Sequence, residues 1–240
     1  ISTLHAKSIS ISTDDNFWYP FTFEKDGLSK GLHIDIVKYA LVSIGYEVNL
    51  SPRPWKRCLS EAERGETDAI ISASYKPERA KFMYYPSDAA KTKISKWRIT
   101  QVEYVIVGYI KDSYEYKGDI NTLPNPVRAP SGYSVIDDLK KAGIKVDSAK
   151  EDLQNLKKLL RSKKGVVVTL PEIIQVLKNS DPEFSDKFKV HSVPFKSKSY
   201  FLSFSQKGKT SSEERQKIWE AIRIVRESNE VMSKLIRKYQ

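Results

Sequence analysis

The feature that most constrains this chain is an alternation of strand and helix patterns in which glycine closes three of the helices. Residues 8–12 alternate apolar and polar side chains, the period of a strand. Gly31 then precedes a helical spacing of Ile36, Val37, Ala40, Leu41 and Ile44, and Gly45 stands where a C-terminal cap belongs. Residues 47–50 predict a second strand, Trp55–Arg64 a helix ended by Gly65, and residues 69–71 a third strand. Parallel strands need a long crossover, and a helix supplies it, so this βαβαβ run predicts a mostly parallel sheet covered by helices.

A second series follows. Residues 94–109 are rich in β-branched and aromatic types and predict one or two extended segments. From Val127 onward the pattern predicts a helix over 131–141 capped by Gly143, a strand over 144–146, a helix over 152–161, and the apolar strand Val166–Thr169. A helix with Pro171 in its first turn comes next, then strands over 189–193 and 200–205, then helices over Ser212–Glu227 and 229–239. Ser211 and Glu214 have the spacing of a capping box. Two series of similar size predict two α/β lobes, and 240 residues suffice to give each lobe its own core.

Several function classes find no support. No apolar run reaches the roughly 18 residues that span a bilayer. The single cysteine, Cys58, is expected as a small buried residue of a helix. His5, His33 and His191 lie far apart and are expected on the surface or at caps, so no metal site is expected. No phosphate-binding glycine loop and no Gly-x-Ser-x-Gly elbow is present, and no cofactor is expected. The net charge of +11 invites nucleic acid, but acids interleave the basic residues, as in Lys76-Pro-Glu-Arg-Ala-Lys81, and a solvated mixed surface is expected instead. The chain opens on Ile1, which suggests a product whose leader has been removed.

Two segments carry most of the functional information. One is Asp15-Asn-Phe-Trp-Tyr-Pro-Phe21 followed by Gly31-Leu-His-Ile-Asp-Ile-Val37. The other runs through Pro54-Trp-Lys-Arg57, Gly65-Glu-Thr-Asp-Ala-Ile-Ile71, Ser72-Ala-Ser-Tyr-Lys-Pro-Glu-Arg79 and Tyr84-Tyr-Pro-Ser87. Their order resembles the family 3 extracellular solute-binding proteins, the polar amino acid receptors of ABC importers. The resemblance covers most of the first 90 residues and continues more loosely through Ser131-Gly-Tyr-Ser134 and the last two helices. It implies a two-lobed type II periplasmic binding fold, each lobe a mostly parallel sheet flanked by helices, joined by two crossover strands. Residues 1–103 and 205–240 would form the first lobe, and residues 104–204 the second.

The resemblance also implies site residues. The family arginine matched by Arg79 clamps a ligand α-carboxylate, and a guanidinium suits that task because it donates two parallel charge-assisted bonds. Ser72 and Ser74 would add hydroxyl donors. The alternative for Arg79 is a surface pair with Glu78 or Glu66. In the second lobe, Tyr133 and Ser134 begin a helix whose free N–H groups would touch the same carboxylate; an ordinary serine cap is the compatible alternative. Trp18 and Trp55 match aromatic positions lining the family's cleft, with core packing as the alternative, and Asp15 matches an acid that meets the ligand's side chain or amino group. One departure stands out. Where the family's amino acid receptors carry an Asp for the α-ammonium, this chain has Thr169, and Glu172 is the nearest acid after it.

The expected function is therefore extracytoplasmic binding of a small carboxylate-bearing solute, an amino acid or analogue, by hinge closure and for delivery to an ABC permease. A monomer without enzymatic activity is expected. A sensor module of a signalling receptor and an enzyme-like relative on the same scaffold are the alternatives.

Overall fold

The computed structural model describes residues 7–240; the expectations for His5 and for the start of the chain lie outside the described residues. In chain order the strands are β1 (Lys7–Asp14), β2 (Phe23–Lys25), β3 (Leu28–Lys30), β4 (Tyr46–Arg53), β5 (Ala69–Ser74), β6 (Met83–Tyr84), β7 (Gln101–Tyr109), β8 (Val127–Arg128), β9 (Val166–Thr169), β10 (Phe188–Val190) and β11 (Lys196–Ser205). The helices are α1 (Leu32–Ser43), α2 (Trp55–Arg64), α3 (Pro77–Ala80), α4 (Ser134–Lys141), α5 (Asp152–Ser162), α6 (Pro171–Ser180), α7 (Ser212–Glu227) and α8 (Asn229–Arg237). The chain divides into two compact units, one ending at Gln101 and resuming over Lys198–Gln240, the other Val102–Ser197.

In the first unit β1 lies between β4 and β5 and runs parallel to both, with Ile9 opposite Val48 and Ile11 opposite Leu50 and Ala69. β11 closes the other side of β5 in antiparallel sense, and β6 pairs with β11. One face of this sheet buries Ile9, Ile11, Ala69 and Ile71 against Ile36, Val37, Ala40 and Leu41 of α1 and Ile218, Trp219, Ile222 and Val225 of α7. The other face buries Ile70 and Ala73 with Trp55, Cys58 and Ala62 of α2. Burial pushes the Cys58 thiol up, which makes it an inert core residue.

The two faces expose an irregularity in β5. Alternation puts residues 69 and 71 on one side and 70 on the other, and Ala73 should then rejoin 69 and 71. Instead Ala73 packs with Ile70. The pairing explains this. Phe201 stands opposite Ala73 and Ser203 opposite Ile70, so three steps on β5 match two on β11. This is a β-bulge, and Ser72 within it has φ 68°.

Helix ends follow local chemistry. Gly65 ends α2 in the left-handed conformation, and Ser211 with Glu214 forms the capping box that opens α7. Gly31, just ahead of α1, has φ 124°, and a Cβ there would lie 2.2 Å from the Phe21 carbonyl oxygen. Gly31→Ala is therefore expected to cost about 2–3 kcal/mol, from backbone strain together with the clash. A denaturant titration checks this, and an unchanged midpoint would contradict it.

The second unit is built on β7. β9 pairs with it antiparallel, Val105 opposite Thr169, and β10 pairs with it in the same sense. β8 runs parallel to β9, with Arg128 opposite Val167. Val135, Leu139, Leu156, Leu159, Ile173 and Leu177 from α4, α5 and α6 are buried in this unit.

Four expectations need correction. Residues 144–146 form no strand; only a single bridge joins Val146 to Val127, because β8 is two residues long and offers little edge. Residues 94–100 form no strand either. The Asp88 carboxylate takes the Ser95 hydroxyl and the Lys96 N–H, and such side-chain bonds compete with a ladder. The fourth helix begins at Ser134 rather than 131. His33 and His191 are buried, not on the surface.

Candidate functional site

In an open parallel sheet the carboxyl ends of the strands gather the loops that bind ligands. β1 ends at Asp14, β4 at Arg53 and β5 at Ser74, and the first-unit candidates Asp15, Trp55, Ser72, Ser74 and Arg79 lie at or just past these ends. Asp15 donates its backbone N–H to the Arg53 carbonyl, 2.9 Å, which ties the loop after β1 to the end of β4. One Asp15 carboxylate oxygen, Oδ1, is buried without a hydrogen-bond partner among the described residues.

Arg79 is the centre of this group. It is 5% exposed. Its Nη1 donates to the Ser74 carbonyl at 2.9 Å and to Ser74 Oγ at 3.2 Å. Its guanidinium carbon lies 5.0 Å from the centre of the Trp55 ring. Tyr85 reinforces the arrangement by donating to the same Ser74 carbonyl at 3.1 Å. Neither acid weighed as a surface partner takes it: Glu66 pairs with Arg64 at 2.6 Å, and Glu78 forms no ion pair with Arg79. Among the described residues no carboxylate pairs with this buried cation. A buried charge without a counter-ion is costly, and an incoming carboxylate removes that cost.

Trp18 and Ser72 meet through a residue that sequence reasoning misplaced. His33, fully buried in the first turn of α1, lies 2.7 Å through Nδ1 from Ser72 Oγ and 2.5 Å through Nε2 from Thr100 Oγ1. Its ring centre is 5.7 Å from that of Trp18, and the Trp18 ring also lies tilted against those of Phe21 and Tyr200. Burial pushes the imidazole pKa down to about 3, so the ring is neutral. A signal for His33 existed: it precedes Ile36 and Val37 by one turn and so shares the core-facing stripe of α1.

The second-unit candidates follow adjacent parallel strands at one end. Tyr133 caps α4 and Ser134 is its first, buried residue, after β8. Thr169 ends β9 and is fully buried, and Glu172 is the second residue of α6. Glu172 keeps one carboxylate oxygen, Oε2, buried without a partner among the described residues. Burial raises its pKa, and the neighbouring Glu103 adds to the rise. Sequence reasoning also missed Asp152, at the start of α5. It is 4% exposed, and burial raises its carboxyl to about 7, opposed by the Thr169 hydroxyl and assisted by Glu151.

Parallel strands whose carboxyl ends hold a buried guanidinium, without a carboxylate partner among the described residues, beside hydroxyls and the Trp55 ring are an arrangement suited to small-molecule binding in an α/β fold. The family follows from comparison. The model of the bacterial extracellular solute-binding proteins, family 3, matches residues 9–239, and the chain belongs to that family. Among curated protein sequences none matches it. Solved structures share the fold at low identity. A histidine kinase sensor domain with similarity to periplasmic binding proteins superposes with a TM-score of 0.78 at 14% identity, covering 98% of this chain and 96% of that one. An ancestral arginine-binding protein bound to arginine gives 0.72 at 18%, covering 98% and 99%. The GluR0 ligand-binding core from Nostoc punctiforme, in complex with L-glutamate, gives 0.73 at 19%, covering 96% and 98%. No helix among the described residues is long and apolar enough to cross a membrane.

Proposed function

We propose that this chain binds a small carboxylate-bearing solute, an amino acid or close analogue, outside the cytoplasm. The observation that carries the reading is Arg79, buried and without a carboxylate partner among the described residues, its Nη1 anchored on Ser74 and its guanidinium carbon over the Trp55 ring. Arg79, Ser72 and Ser74 receive the carboxylate. Tyr133 and Ser134 hold the same group in the ligand-bound state, and Asp15, Trp18, Trp55, Thr169 and Glu172 choose the rest of the solute. Structural neighbours that bind arginine and glutamate support an amino acid. Closure of the two units on the solute is the state an ABC permease partner would read.

The proposal assigns no catalysis. A serine beside an imidazole suggests a nucleophile, but a ring whose pKa lies near 3 is too weak a base to activate Ser72 near neutral pH. A second reading, a sensor module, is favoured by the likeness to the histidine kinase sensor domain. Both readings predict the same ligand chemistry. Reconstitution with the permease separates them: stimulated uptake favours the transport receptor, and its absence favours the sensor.

A thermal-shift series over L-amino acids, dicarboxylates, sugars and polyamines tests the binding claim. A carboxylate at about 100 times its Kd adds about 2.7 kcal/mol of stability, which raises the melting temperature by roughly 5–10 °C for a chain of this size. Stabilisation by sugars or polyamines alone would overturn the proposal.

A further inference from the structure

In the second unit Asp147 is neutralised by Lys158 and Glu115 by Lys189, each at 2.6 Å. Three other acids, gathered around the carboxyl end of β9, have no basic partner among the described residues: Glu103, Asp152 and Glu172. The topology brings them together. Val105 stands opposite Thr169 in the ladder, so their side chains share a face, and Glu103, two positions before Val105 on β7, shares it too. Glu172 follows Thr169 by three residues and lies close enough to Glu103 for the two carboxylates to repel. Asp152 arrives from a third direction. Ala149 bridges Pro130 in parallel sense, so α5 starts at the same end of the sheet as α4, and the Asp152 carboxylate faces the Thr169 hydroxyl.

Three buried oxygens in this group lack a hydrogen-bond partner among the described residues: Asp152 Oδ1, Thr169 Oγ1 and Glu172 Oε2. The Asp152 and Thr169 side chains are themselves enclosed. An ionised carboxylate can only accept, and a hydroxyl has lone pairs to offer, so what the group lacks is donors. Buried acceptors left unfilled cost free energy, and like charges side by side add to the cost. The complement is a positive charge carrying several N–H donors, which an ammonium or a guanidinium supplies. A metal ion does not fit, because no acids or histidines among the described residues are arranged to hold one.

We propose that Asp152, Glu172 and Glu103 form a subsite for an organic cation of the solute, with Asp152 Oδ1, Glu172 Oε2 and Thr169 Oγ1 accepting its N–H donors. This inference rests on the solute-binding reading above and narrows it: the solute carries an ammonium or guanidinium group as well as a carboxylate, and simple carboxylic acids are selected against. The cation is either an α-ammonium or a charged side chain, since both present the same chemistry. Thr169 is neutral, and Asp152, facing it from α5, supplies the negative charge at that point.

The test uses the full chain at pH 8 and calorimetric titration with five compounds built on one carbon chain: L-lysine, L-norleucine, 6-aminohexanoate, hexanoate and cadaverine. Hexanoate has the carboxylate without a cation, and cadaverine has cations without a carboxylate. The expected result is that the tightest of the three ammonium-bearing acids binds about 10- to 100-fold more tightly than hexanoate. Norleucine in that place identifies the α-ammonium as the group held, and 6-aminohexanoate identifies the side-chain ammonium. Asp152→Asn and Glu172→Gln, each confirmed as folded by circular dichroism, are expected to weaken that compound about tenfold or more. A smaller loss in either variant would overturn the inference. Hexanoate binding as tightly as the ammonium-bearing acids removes this inference and leaves the carboxylate reading standing. Cadaverine binding as tightly as lysine keeps the cation subsite and removes the carboxylate reading, and no binding by any of the five removes both.

Discussion

Arg79→Ala is expected to weaken the best-binding amino acid of the thermal-shift series about a thousandfold, roughly 4 kcal/mol, measured by isothermal calorimetry. Arg79→Lys keeps the charge but not the two-pronged geometry, and a loss of about 30- to 100-fold is expected for it. The ligand-free chain should respond in the opposite sense. The buried guanidinium lacks a carboxylate among the described residues, so removing it is expected to leave stability unchanged or raise it by about 1–2 kcal/mol. The Ser74 carbonyl still accepts from Tyr85, which limits the damage. Binding of Arg79→Ala within threefold of the parent would show that the guanidinium does not hold the ligand.

The second large effect is a pair of opposed pH dependences. In the second unit Asp152 binds its proton more tightly folded, at about 7, than unfolded, near 4. Between these values the folded state holds a proton that the unfolded state has released, so stability falls as pH rises, by about 4 kcal/mol across the window. In the first unit His33 is the reverse. Its pKa is about 3 when folded and near 6.5 when unfolded, so stability is lost as pH falls through that range, by a similar amount.

Each unit therefore weakens in a different direction, and between about pH 4 and 6.5 the two contributions cancel in any whole-chain measurement. Amide hydrogen exchange resolves them by unit. Asp152→Asn is expected to remove the loss in the second unit toward pH 7, and His33→Asn the acid loss in the first. Exchange profiles with the same pH slope in the parent and both variants would refute the assignment of these two groups.

Much of the frame was legible because its causes are local. Trp55–Arg64 and Val166–Thr169 have the bounds that their patterns predict, and the capping box at Ser211 forms as its spacing requires. Residues 144–146 show the limit of such reading. Whether an apolar triplet becomes a strand depends on an edge to pair with, and β8 is too short to provide one.

The candidate site divides in the same way. The candidates Ser72, Ser74, Arg79, Trp18 and Trp55 are named from their order in the chain, and the structure places Ser72, Ser74, Arg79 and Trp55 at or just past strand ends. The state of Arg79 could not be read there, because a charge becomes exposed or buried according to what packs around it, and here Trp55, Ser74 and Tyr85 decide. Asp152 escaped for the same reason, whereas His33 lies on the core-facing stripe of α1 and its burial was open to reading.

By itself the sequence determined the alternation of strands and helices, their caps, the family and the types of side chain at the strand ends, since periodicity, turn chemistry and spacing are properties of neighbours along the chain. Tertiary structure alone decided the bulge at Ser72, the enclosure of His33 between two hydroxyls, and the pairing or isolation of each buried charge. Those depend on desolvation and on partners 39 to 67 positions apart, from His33–Ser72 to His33–Thr100, separations over which no local pattern extends.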